Sequence, residues 1–348
     1  MSIITHVTPN DEVLLATEPR ISFRLGDCVE RLKDVENDSV RVIYMDPPFN
    51  SARDYVLSAD VSTGFKDKWK DDVYAQLITK VVDMCYLKLA KNGTLYFHIS
   101  ADCMFVPETI LRAKFKFVQP IFWKKCRSKN NVTSKLGATI DILFKCTKQK
   151  HALFHVVTQP KDATYLAQSF KNKDSVGNYS LGHLVTEPTK RGHMYMFTID
   201  GREFNPPTGW RIKQEDLEVL RTQNRLHVPK GEKAKLYKKI YLHENPGKPC
   251  TDLWDDIHSI GQGSESRSYP TAKPQKLLER VIAISSDVGD LVLDPMCGSG
   301  TTGAAARALG RRCILIDTNK DLVKILTARF AAPSRIEAKE ENSKSNED

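Results

Sequence analysis

Residues 291–302 read LVLDPMCGSGTT, an apolar run that ends at an acidic residue and passes into a turn with two glycines. The apolar part predicts a β-strand over 291–293, and the residues after the turn predict a helix over 302–309. Glycines let a ligand approach the backbone closely, and the first N–H groups of a helix are free to bind it. The segment therefore predicts a strand, a ligand-binding turn and a helix.

A second predicted strand ends at an acidic residue soon afterwards. The run 312–316 precedes Asp317, 23 residues after Asp294, where a carboxylate can accept the two hydroxyls of a ribose. No lysine follows the glycine turn, so this is not the phosphate-binding loop of nucleoside triphosphatases. The turn and Asp317 together predict a site for a cofactor that contains adenosine.

A stiff turn follows the predicted strand 40–45, where the chain reads Asp46, Pro47, Pro48 and Phe49. Two consecutive prolines cannot continue a sheet ladder, so the backbone leaves the sheet in a defined direction. The Asp46 carboxylate and the Pro47 carbonyl could accept both hydrogens of an amino group on a nucleobase, and the Phe49 ring could stack on that base. The alternative is an ordinary strand-end turn with Phe49 in the core.

Apolar runs and helical periods alternate along most of the chain. The predicted strands are 21–25, 40–45, 94–99, 117–123, 140–146, 291–293 and 312–316, and the predicted helices include 71–90, 273–286 and 302–309. This order predicts an α/β fold with a mostly parallel sheet and helices on both faces. Four aspartates close predicted strands: Asp27, Asp46, Asp294 and Asp317. Ligands of such sheets bind outside the carboxyl ends of the strands, so the four are predicted to line one crevice, although any one could instead cap a helix.

Positive charge is concentrated in the middle of the chain. The whole sequence carries 52 Lys and Arg against 43 Asp and Glu, and residues 148–250 alone carry 18 against 10. Such a concentration favours a polyanionic partner such as a nucleic acid. The candidates for contacts with its backbone are Lys124, Lys125, Arg127, Lys129 and Arg211, each of which could also be an ordinary surface charge.

Composition excludes several classes of protein. With 41% apolar and 27% charged residues the chain can form a globular core, and no apolar run approaches the roughly 20 residues of a membrane span. We therefore expect a soluble, cytoplasmic protein without a membrane partner. The eight cysteines form no C-x-x-C pair, so we expect reduced thiols and no metal site. His98 is interpreted as a strand histidine without a catalytic role.

Three separated motifs carry a resemblance to a known family. Residues 46–49, 269–274 and 294–302 resemble the catalytic, preceding-helix and cofactor motifs of the S-adenosylmethionine-dependent DNA amino-methyltransferases. Their order, with the catalytic motif first and the cofactor loop last, is similar to that of the beta group, a circular permutation of the usual methyltransferase sheet. The resemblance spans roughly residues 23–147 and 206–330.

The resemblance implies a circularly permuted, Rossmann-like methyltransferase domain that is interrupted by an insertion. Residues 21–147 would form its catalytic half, 148–250 a basic target-recognition region, 251–331 the cofactor-binding half, and 332–348 a disordered acidic tail. The tail is expected from composition, because it is charged and nearly free of apolar residues.

The residue roles of the family carry over to the matching positions. Residues 46–49 would surround the target base, while Asp317 and Asp27 would hold the ribose and the adenine of the cofactor. The residues implied to bind S-adenosyl-L-methionine are Asp27, Asp46, Thr271, Lys273, Asp294, Met296, Gly298, Ser299, Gly300, Thr301 and Asp317. Two positions depart from the family pattern: Met296, where phenylalanine is commoner, and Tyr269, where histidine is frequent.

The implied reaction is transfer of a methyl group from S-adenosyl-L-methionine to the N6 amine of an adenine that is flipped out of double-stranded DNA. Aspartate at position 46 favours adenine, because the cytosine-N4 enzymes more often have serine there. Cytosine N4, adenine in RNA, and an inactive nucleic-acid-binding scaffold stay open as alternatives. The expected partner is double-stranded DNA. Members of the family often dimerise, so a second copy of the chain is a further candidate, and the enzyme is expected either to act alone or to be paired with a separate, cognate restriction endonuclease.

Overall fold

The structure is a computed structural model that describes residues 12–50, 53–55, 65–126, 136–231, 235–245, 247–260 and 272–331. Its strands, in chain order, are β1 (Glu12–Ala16), β2 (Ile21–Leu25), β3 (Val40–Met45), β4 (Arg53–Tyr55), β5 (Phe65–Asp67), β6 (Leu89–Ser100), β7 (Phe117–Lys124), β8 (Ile140–Thr147), β9 (Thr158–Gln159), β10 (Asn172–Lys173), β11 (Asn178–His183), β12 (Phe197–Ile199), β13 (Arg202–Phe204), β14 (Leu226–His227), β15 (Tyr237–Tyr241), β16 (Lys248–Pro249), β17 (Leu253–Trp254), β18 (Leu291–Asp294) and β19 (Arg312–Asp317). Its helices are α1 (Cys28–Leu32), α2 (Asp71–Lys88), α3 (Phe105–Lys114), α4 (Ala163–Ser169), α5 (Gln214–Thr222), α6 (Gln275–Ser285), α7 (Thr301–Ala308) and α8 (Leu322–Ala331).

The chain divides into two units. The second unit is Thr158–Pro249, and the first holds the described residues on either side of it. The sequence predicted an insertion over 148–250, but residues 148–157 belong to the first unit. Within this stretch the Leu153 N–H donates a backbone hydrogen bond of 3.0 Å to the Asn92 carbonyl. The insertion therefore begins about ten residues later than charge counting placed it.

A nine-stranded sheet in the order β1-β2-β19-β18-β3-β6-β8-β7-β17 lies at the centre of the first unit. Strands β2, β19, β18, β3 and β6 are mutually parallel, and β17 is parallel to β7. Strands β1 and β8 run antiparallel to their neighbours. The predicted α/β class with a mostly parallel sheet is confirmed.

Strand β8 departs from the alternation expected for the first half of the chain. The runs 117–123 and 140–146 were predicted as strands of a parallel pattern, but β8 is antiparallel to both β6 and β7. A parallel neighbour needs a crossover, which is usually a helix. The described residues between β7 and β8, at 125–126 and 136–139, contain no helix. The parallel prediction was therefore wrong for this strand.

The central strands are buried on both faces, which explains their continuous apolar runs. In β3, Val42 and Tyr44 belong to an apolar cluster with residues of α6, α7 and α8, whereas Ile43 and Met45 belong to one with residues of α1, α2 and α3. Because alternate residues of a strand point to opposite faces, helices cover both sides of the sheet.

The second unit has a core of its own. It contains a four-stranded antiparallel sheet in the order β10-β11-β15-β14 and the two-stranded ribbons β12–β13 and β9–β16. One apolar cluster of buried residues consists of Leu184, Phe197, Phe204, Trp210, Leu217, Leu226 and Leu236. The unit is therefore a packed body and not an extended loop.

Two further expectations concern the ends of the chain and the membrane. The predicted tail at 332–348 lies outside the described residues. Across the described part of the chain, no helix has both the length and the apolar composition that a membrane span requires.

Candidate active site

The strand order reverses between β18 and β3. From β18 the chain continues through α7 to β19 on one side, and from β3 it continues through α2 to β6 on the other. Open α/β sheets bind ligands outside the carboxyl ends of the strands at such a point. Asp294 is the last residue of β18 and Asp46 directly follows β3, so both aspartates lie at this reversal.

Asp46 is joined to a residue 227 positions further along the chain. The Lys273 ammonium donates to Asp46 Oδ2, and the two partly buried side chains form an ion pair. Lys273 Nζ also lies 5.5 Å from the centre of the Phe49 ring. The other oxygen, Asp46 Oδ1, is buried and has no hydrogen-bond partner among the described residues. A ligand can therefore reach Asp46 at Oδ2, next to a lysine ammonium.

The turn that carries Asp46 is held by the residue after Phe49. Asn50 has φ 56°, a left-handed conformation that asparagine tolerates better than most side chains. Its backbone N–H donates to Asp67 Oδ1 at 2.7 Å, and its side-chain oxygen accepts from the Trp69 N–H at 2.7 Å. These bonds fix the direction in which the chain leaves the sheet. The sequence motifs did not indicate this role of Asn50.

The glycine turn after β18 is organised by two aspartates. Asp294 Oδ1 accepts the Met296 N–H at 3.1 Å, and its Oδ2 accepts the Thr302 hydroxyl at 2.5 Å. Asp317 Oδ2 accepts the Gly298 N–H at 3.0 Å. Asp294 is only 2% exposed, so it holds the turn from the interior of the protein through its two hydrogen bonds.

The backbone of the turn has conformations that favour glycine. Gly298 and Gly300 have φ of 48° and 72°, which other residues adopt only with strain. A Cβ atom on Gly300 would lie 2.3 Å from Leu326 Cδ2. Ser299 Oγ and Thr301 Oγ1 are 3.0 Å apart at the start of α7. The turn is therefore closely packed against α8 at Gly300, and glycine is the residue that this backbone path favours.

Burial changes the acidity of both aspartates of the turn. Burial raises the pKa of Asp294 to about 7, although its hydrogen bond with Thr302 acts in the opposite direction, and the charges of Asp46 and Asp317 add to the rise. Burial also raises the pKa of Asp317, against the backbone N–H groups that donate to it. The reversal thus gathers carboxyl groups close enough to influence one another.

Asp27 acts as a helix cap. Its Oδ1 accepts the Val29 N–H at 2.9 Å and the Glu30 N–H at 3.2 Å, which satisfies two donors at the start of α1. The Gly26 N–H donates to the Asp317 carbonyl at 2.9 Å, so the ends of β2 and β19 are tied together. The capping alternative therefore holds for Asp27, and its contact with an adenine stays a prediction.

Comparison with known proteins decides the family. A family model described as DNA methylase matches residues 40–328. The chain belongs to this DNA methylase family. The resemblance of the three motifs is thereby confirmed, and the chain is placed among the S-adenosylmethionine-dependent DNA methyltransferases.

Two curated relatives resemble the methylase over most of its length. The type II methyltransferase M.EcaI of Enterobacter cloacae is 27% identical over 306 residues, which cover 85% of this chain and 66% of the relative. The DNA adenine methyltransferase YhdJ of Escherichia coli strain K12 is 26% identical over 319 residues, which cover 90% of this chain and 84% of the relative.

A solved structure has a similar fold. The PvuII DNA methyltransferase, which is cytosine-N4-specific, superposes with a TM-score of 0.52 at 13% identity over 90% of this chain and 87% of its own. This likeness shows a shared fold.

The residues predicted to contact nucleic acid have different surroundings in the methylase. Lys124 is the last residue of β7, and Lys125 Nζ donates to Asp141 Oδ1 at 2.7 Å. Arg211, in the second unit, donates to Glu187 Oε1 at 3.2 Å. Three predicted site residues lie outside the described part: Arg127, Lys129 and Thr271. The DNA contacts stay predictions.

A row of buried polar side chains behind Asp46 was missed. Tyr44 of β3, His98 of β6 and Asp141 of β8 lie on three adjacent strands and are at most 2% exposed. The Tyr44 hydroxyl is 2.6 Å from His98 Nδ1, and His98 Nε2 is 3.4 Å from Asp141 Oδ2. Each of the three residues has apolar neighbours in its own strand, and their contact becomes visible only when the three strands are placed side by side.

Proposed function

We propose that this methylase transfers a methyl group from S-adenosyl-L-methionine to the N6 amine of an adenine at a specific site in double-stranded DNA. One observation carries the proposal. Asp46 lies at the end of β3, beside the glycine turn of β18, with one oxygen buried and the other turned to Lys273. The aspartate itself and the similarity to a relative named DNA adenine methyltransferase favour adenine. Cytosine N4 is the second candidate, since the family model does not separate the two amines.

The residues of the turn suit S-adenosyl-L-methionine. Gly298 and Gly300 give the turn a backbone path that other residues adopt only with strain. The Asp317 carboxylate already accepts backbone N–H groups, but each of its oxygens has a further lone pair for a ribose hydroxyl. When bound, this cofactor supplies a methyl group already activated by a sulfonium centre. The protein must then orient the amine and exclude water, and it needs no strong base.

The chain contributes orientation through the turn after β3. In our proposal Asp46 Oδ2 accepts one N–H of the target amine and the Pro47 carbonyl accepts the other. These bonds favour a more tetrahedral nitrogen, whose lone pair is then available for attack. Lys273 shares the oxygen with the amine, which a carboxylate allows because each oxygen has two lone pairs. The Phe49 ring stacks on the base.

The DNA must present its base outside the double helix. The target amine lies inside the stack of a duplex, so the base is extruded before transfer. The excess of positive charge in residues 148–250 suits the phosphates that are held meanwhile.

The partners are proposed from the relatives. Similarity to type II methyltransferases and to a type III Mod subunit from Salmonella typhimurium favours a cognate restriction endonuclease as partner. We also propose that the methylase forms a homodimer and acts inside the cell.

The proposal is tested with isotopically labelled cofactor. The purified protein is incubated with deuterated-methyl S-adenosyl-L-methionine and duplex DNA of mixed sequence, and the DNA is digested to nucleosides for mass spectrometry. We expect labelled N6-methyladenine. Labelled N4-methylcytosine would overturn the choice of base, and label only on a parallel RNA sample would overturn the choice of polymer.

A pair of variants separates catalysis from contamination and misfolding. Asp46→Ala should abolish the label, whereas Asp34→Ala should keep it, because Asp34 is an exposed residue whose recorded ion pair is with Arg31. Cofactor binding is measured separately by calorimetry. Binding of DNA without label and without cofactor binding would support the inactive scaffold.

A further inference from the structure

The polar row behind Asp46 lies on one face of the sheet. Tyr44 belongs to the apolar cluster that includes α6, as do the alternate residues Tyr96 of β6 and Leu143 of β8. His98 and Asp141 are each two residues from these positions, so their side chains point to the same face. This is also the face that α6 covers. The row approaches Asp46 through His98, whose Nδ1 lies 3.8 Å from Asp46 Oδ1.

Aromatic rings enclose His98. The Trp123 ring stands edge-on with its centre 5.5 Å from the His98 ring, and the Phe49 ring is tilted with its centre at 6.0 Å. His98 is fully buried. Burying a polar ring is unfavourable unless its nitrogens have partners. The Tyr44 hydroxyl meets Nδ1, whereas Nε2 makes no hydrogen bond to the described residues and has Asp141 Oδ2 at 3.4 Å.

Asp141 determines which nitrogen of the ring carries the proton. Burial acts to raise the pKa of Asp141, but His98 and Lys125 outweigh it and hold the pKa below its ordinary value. A charged carboxylate only accepts hydrogen bonds, so the Nε2 that faces it carries the hydrogen. In the neutral ring, Nδ1 is then an acceptor, and the Tyr44 hydroxyl donates to it.

Two proton acceptors therefore face each other beside the reaction centre. His98 Nδ1 is 3.8 Å from Asp46 Oδ1, and Oδ1 has no hydrogen-bond partner among the residues that the structure describes. The charged and titratable groups around this gap are Tyr44 and Asp46 from β3 and Asp141 from β8, with Lys125 beyond Asp141 and Lys273 beyond Asp46. The gap is a place for one additional proton.

We propose that His98, held by Asp141, is a positioning residue for Asp46 and takes up, through Asp46, the proton that the target amine loses. This inference rests on the proposed function. The N–C bond forms with the lone pair of the amine while the C–S bond breaks, and its electrons go to sulfur. The methylated nitrogen then carries one positive charge and loses one proton to Asp46 Oδ2.

The remaining steps return Asp46 to its starting state. A half-turn of the carboxyl group exchanges its two oxygens and brings the proton to face His98 Nδ1. The Tyr44 hydroxyl turns its hydrogen away from Nδ1, and the lone pair released in this way accepts the proton. The imidazolium then lies between the carboxylates of Asp46 and Asp141, and both attract it. The proton leaves to water after the methylated base departs. The 3.8 Å separation is that of the protein without substrate, a state in which such contacts are commonly longer than in the reacting complex.

The test compares single-turnover rates of methyl transfer, because product release then does not hide the chemical step. His98→Gln keeps an amide that can reach toward Asp141, and His98→Asn keeps one toward Tyr44, but neither accepts a proton at neutral pH. The matched control is His155→Gln, since His155 is an exposed histidine that also pairs with an aspartate, Asp287, at 2.9 Å. Rates are measured from about pH 5.5 to about pH 8.5, which spans the range where histidines commonly titrate.

Both His98 variants should lose about 100-fold in rate and keep the cofactor dissociation constant within about twofold. The pH profile of the rate should also differ between the wild type and both variants, because neither side-chain amide can take up a proton. His155→Gln should match the wild type. Rates of the His98 variants near that of the wild type, or an unchanged pH profile, would overturn the inference. A loss that is entirely in cofactor or DNA affinity would also overturn it.

A third variant decides the matter if the His98 variants do not fold. Asp141→Asn keeps His98 in place and should lower the single-turnover rate by about tenfold or more at unchanged cofactor affinity; a rate within about twofold of wild type overturns the inference. If the wild type transfers no label to DNA, the proposed function fails instead.

Discussion

Two Asp-Pro pairs follow neighbouring parallel strands of one sheet, and their aspartates have opposite surroundings. Asp294 is 2% exposed, and both of its oxygens accept hydrogen bonds from its own turn. The Asp46 side chain is 20% exposed, one of its oxygens meets the distant Lys273, and the other has no hydrogen-bond partner among the described residues.

The same dipeptide therefore does two different things. A carboxylate whose hydrogen bonds are made within its own loop stabilises that loop. A carboxylate with unused acceptor capacity contributes less to folding and is available to a ligand. The difference comes from the neighbouring residues, because Asp294 has Thr302 eight residues later, across the glycine turn, while Asp46 is followed by two prolines.

The largest expected effect is a loss of methyl-transfer rate on substitution of Asp46, the less buried of the two aspartates. Asp46→Asn keeps the shape of the side chain but replaces an acceptor by a donor, and it should lower the single-turnover rate about 10² to 10³-fold. Thermal unfolding should be almost unchanged. Asp34→Asn is the matched control. A variant that retains more than about a tenth of the wild-type rate would remove Asp46 from the reaction centre.

Asp294, the buried aspartate, should make the free energy of unfolding depend on pH. The folded-state pKa of Asp294 is about 7, above the ordinary value of 3.8, so the folded protein holds a proton that the unfolded chain has lost. The stability that this contributes is complete below about pH 4 and is lost as pH rises toward about 7, on the order of 4 kcal/mol. Urea unfolding should show this slope in the wild type relative to Asp294→Asn. A difference that is constant with pH would contradict it.

Substitution of each aspartate by alanine should change the free energy of unfolding by different amounts. Asp294→Ala leaves the Met296 N–H and the Thr302 hydroxyl without their acceptor in a buried place. It should lower the free energy of unfolding by about 2 kcal/mol. Asp46→Ala, measured in the same way, should cost less or stabilise the protein. The comparison fails if Asp46→Ala is the more destabilising of the two.

The smallest expected effect is a difference in stability between two glycine variants, and it distinguishes close packing at Gly300 from backbone strain. Gly300 and Gly289 both have positive φ, at 72° and 84°, but an added Cβ meets Leu326 only at Gly300 and has no neighbour within 4 Å at Gly289. Gly300→Ala should therefore be less stable than Gly289→Ala by about 1 kcal/mol. Calorimetry should also show weaker cofactor binding for Gly300→Ala alone. Equal losses in both variants would assign the whole effect to strain.

Much of the fold could be predicted because its signals are local. Apolar runs, helical periods and the residues of tight turns indicated β3, β18, β19 and α7 within one or two residues of their observed ends. The position of Asp46 and of the glycine turn followed from the same patterns. The direction of β8 did not, because a run of apolar residues is the same in a parallel and an antiparallel strand.

The sequence by itself determined the α/β class, the three motifs and the chemistry that their side chains offer, since these depend on residue types and on neighbours in the chain. Only the tertiary structure decided that Lys273 meets Asp46 and that Tyr44, His98 and Asp141 form one buried row. These contacts join residues on separate strands and segments. They depend on the order in which strands lie in the sheet, and no local pattern of residues encodes that order.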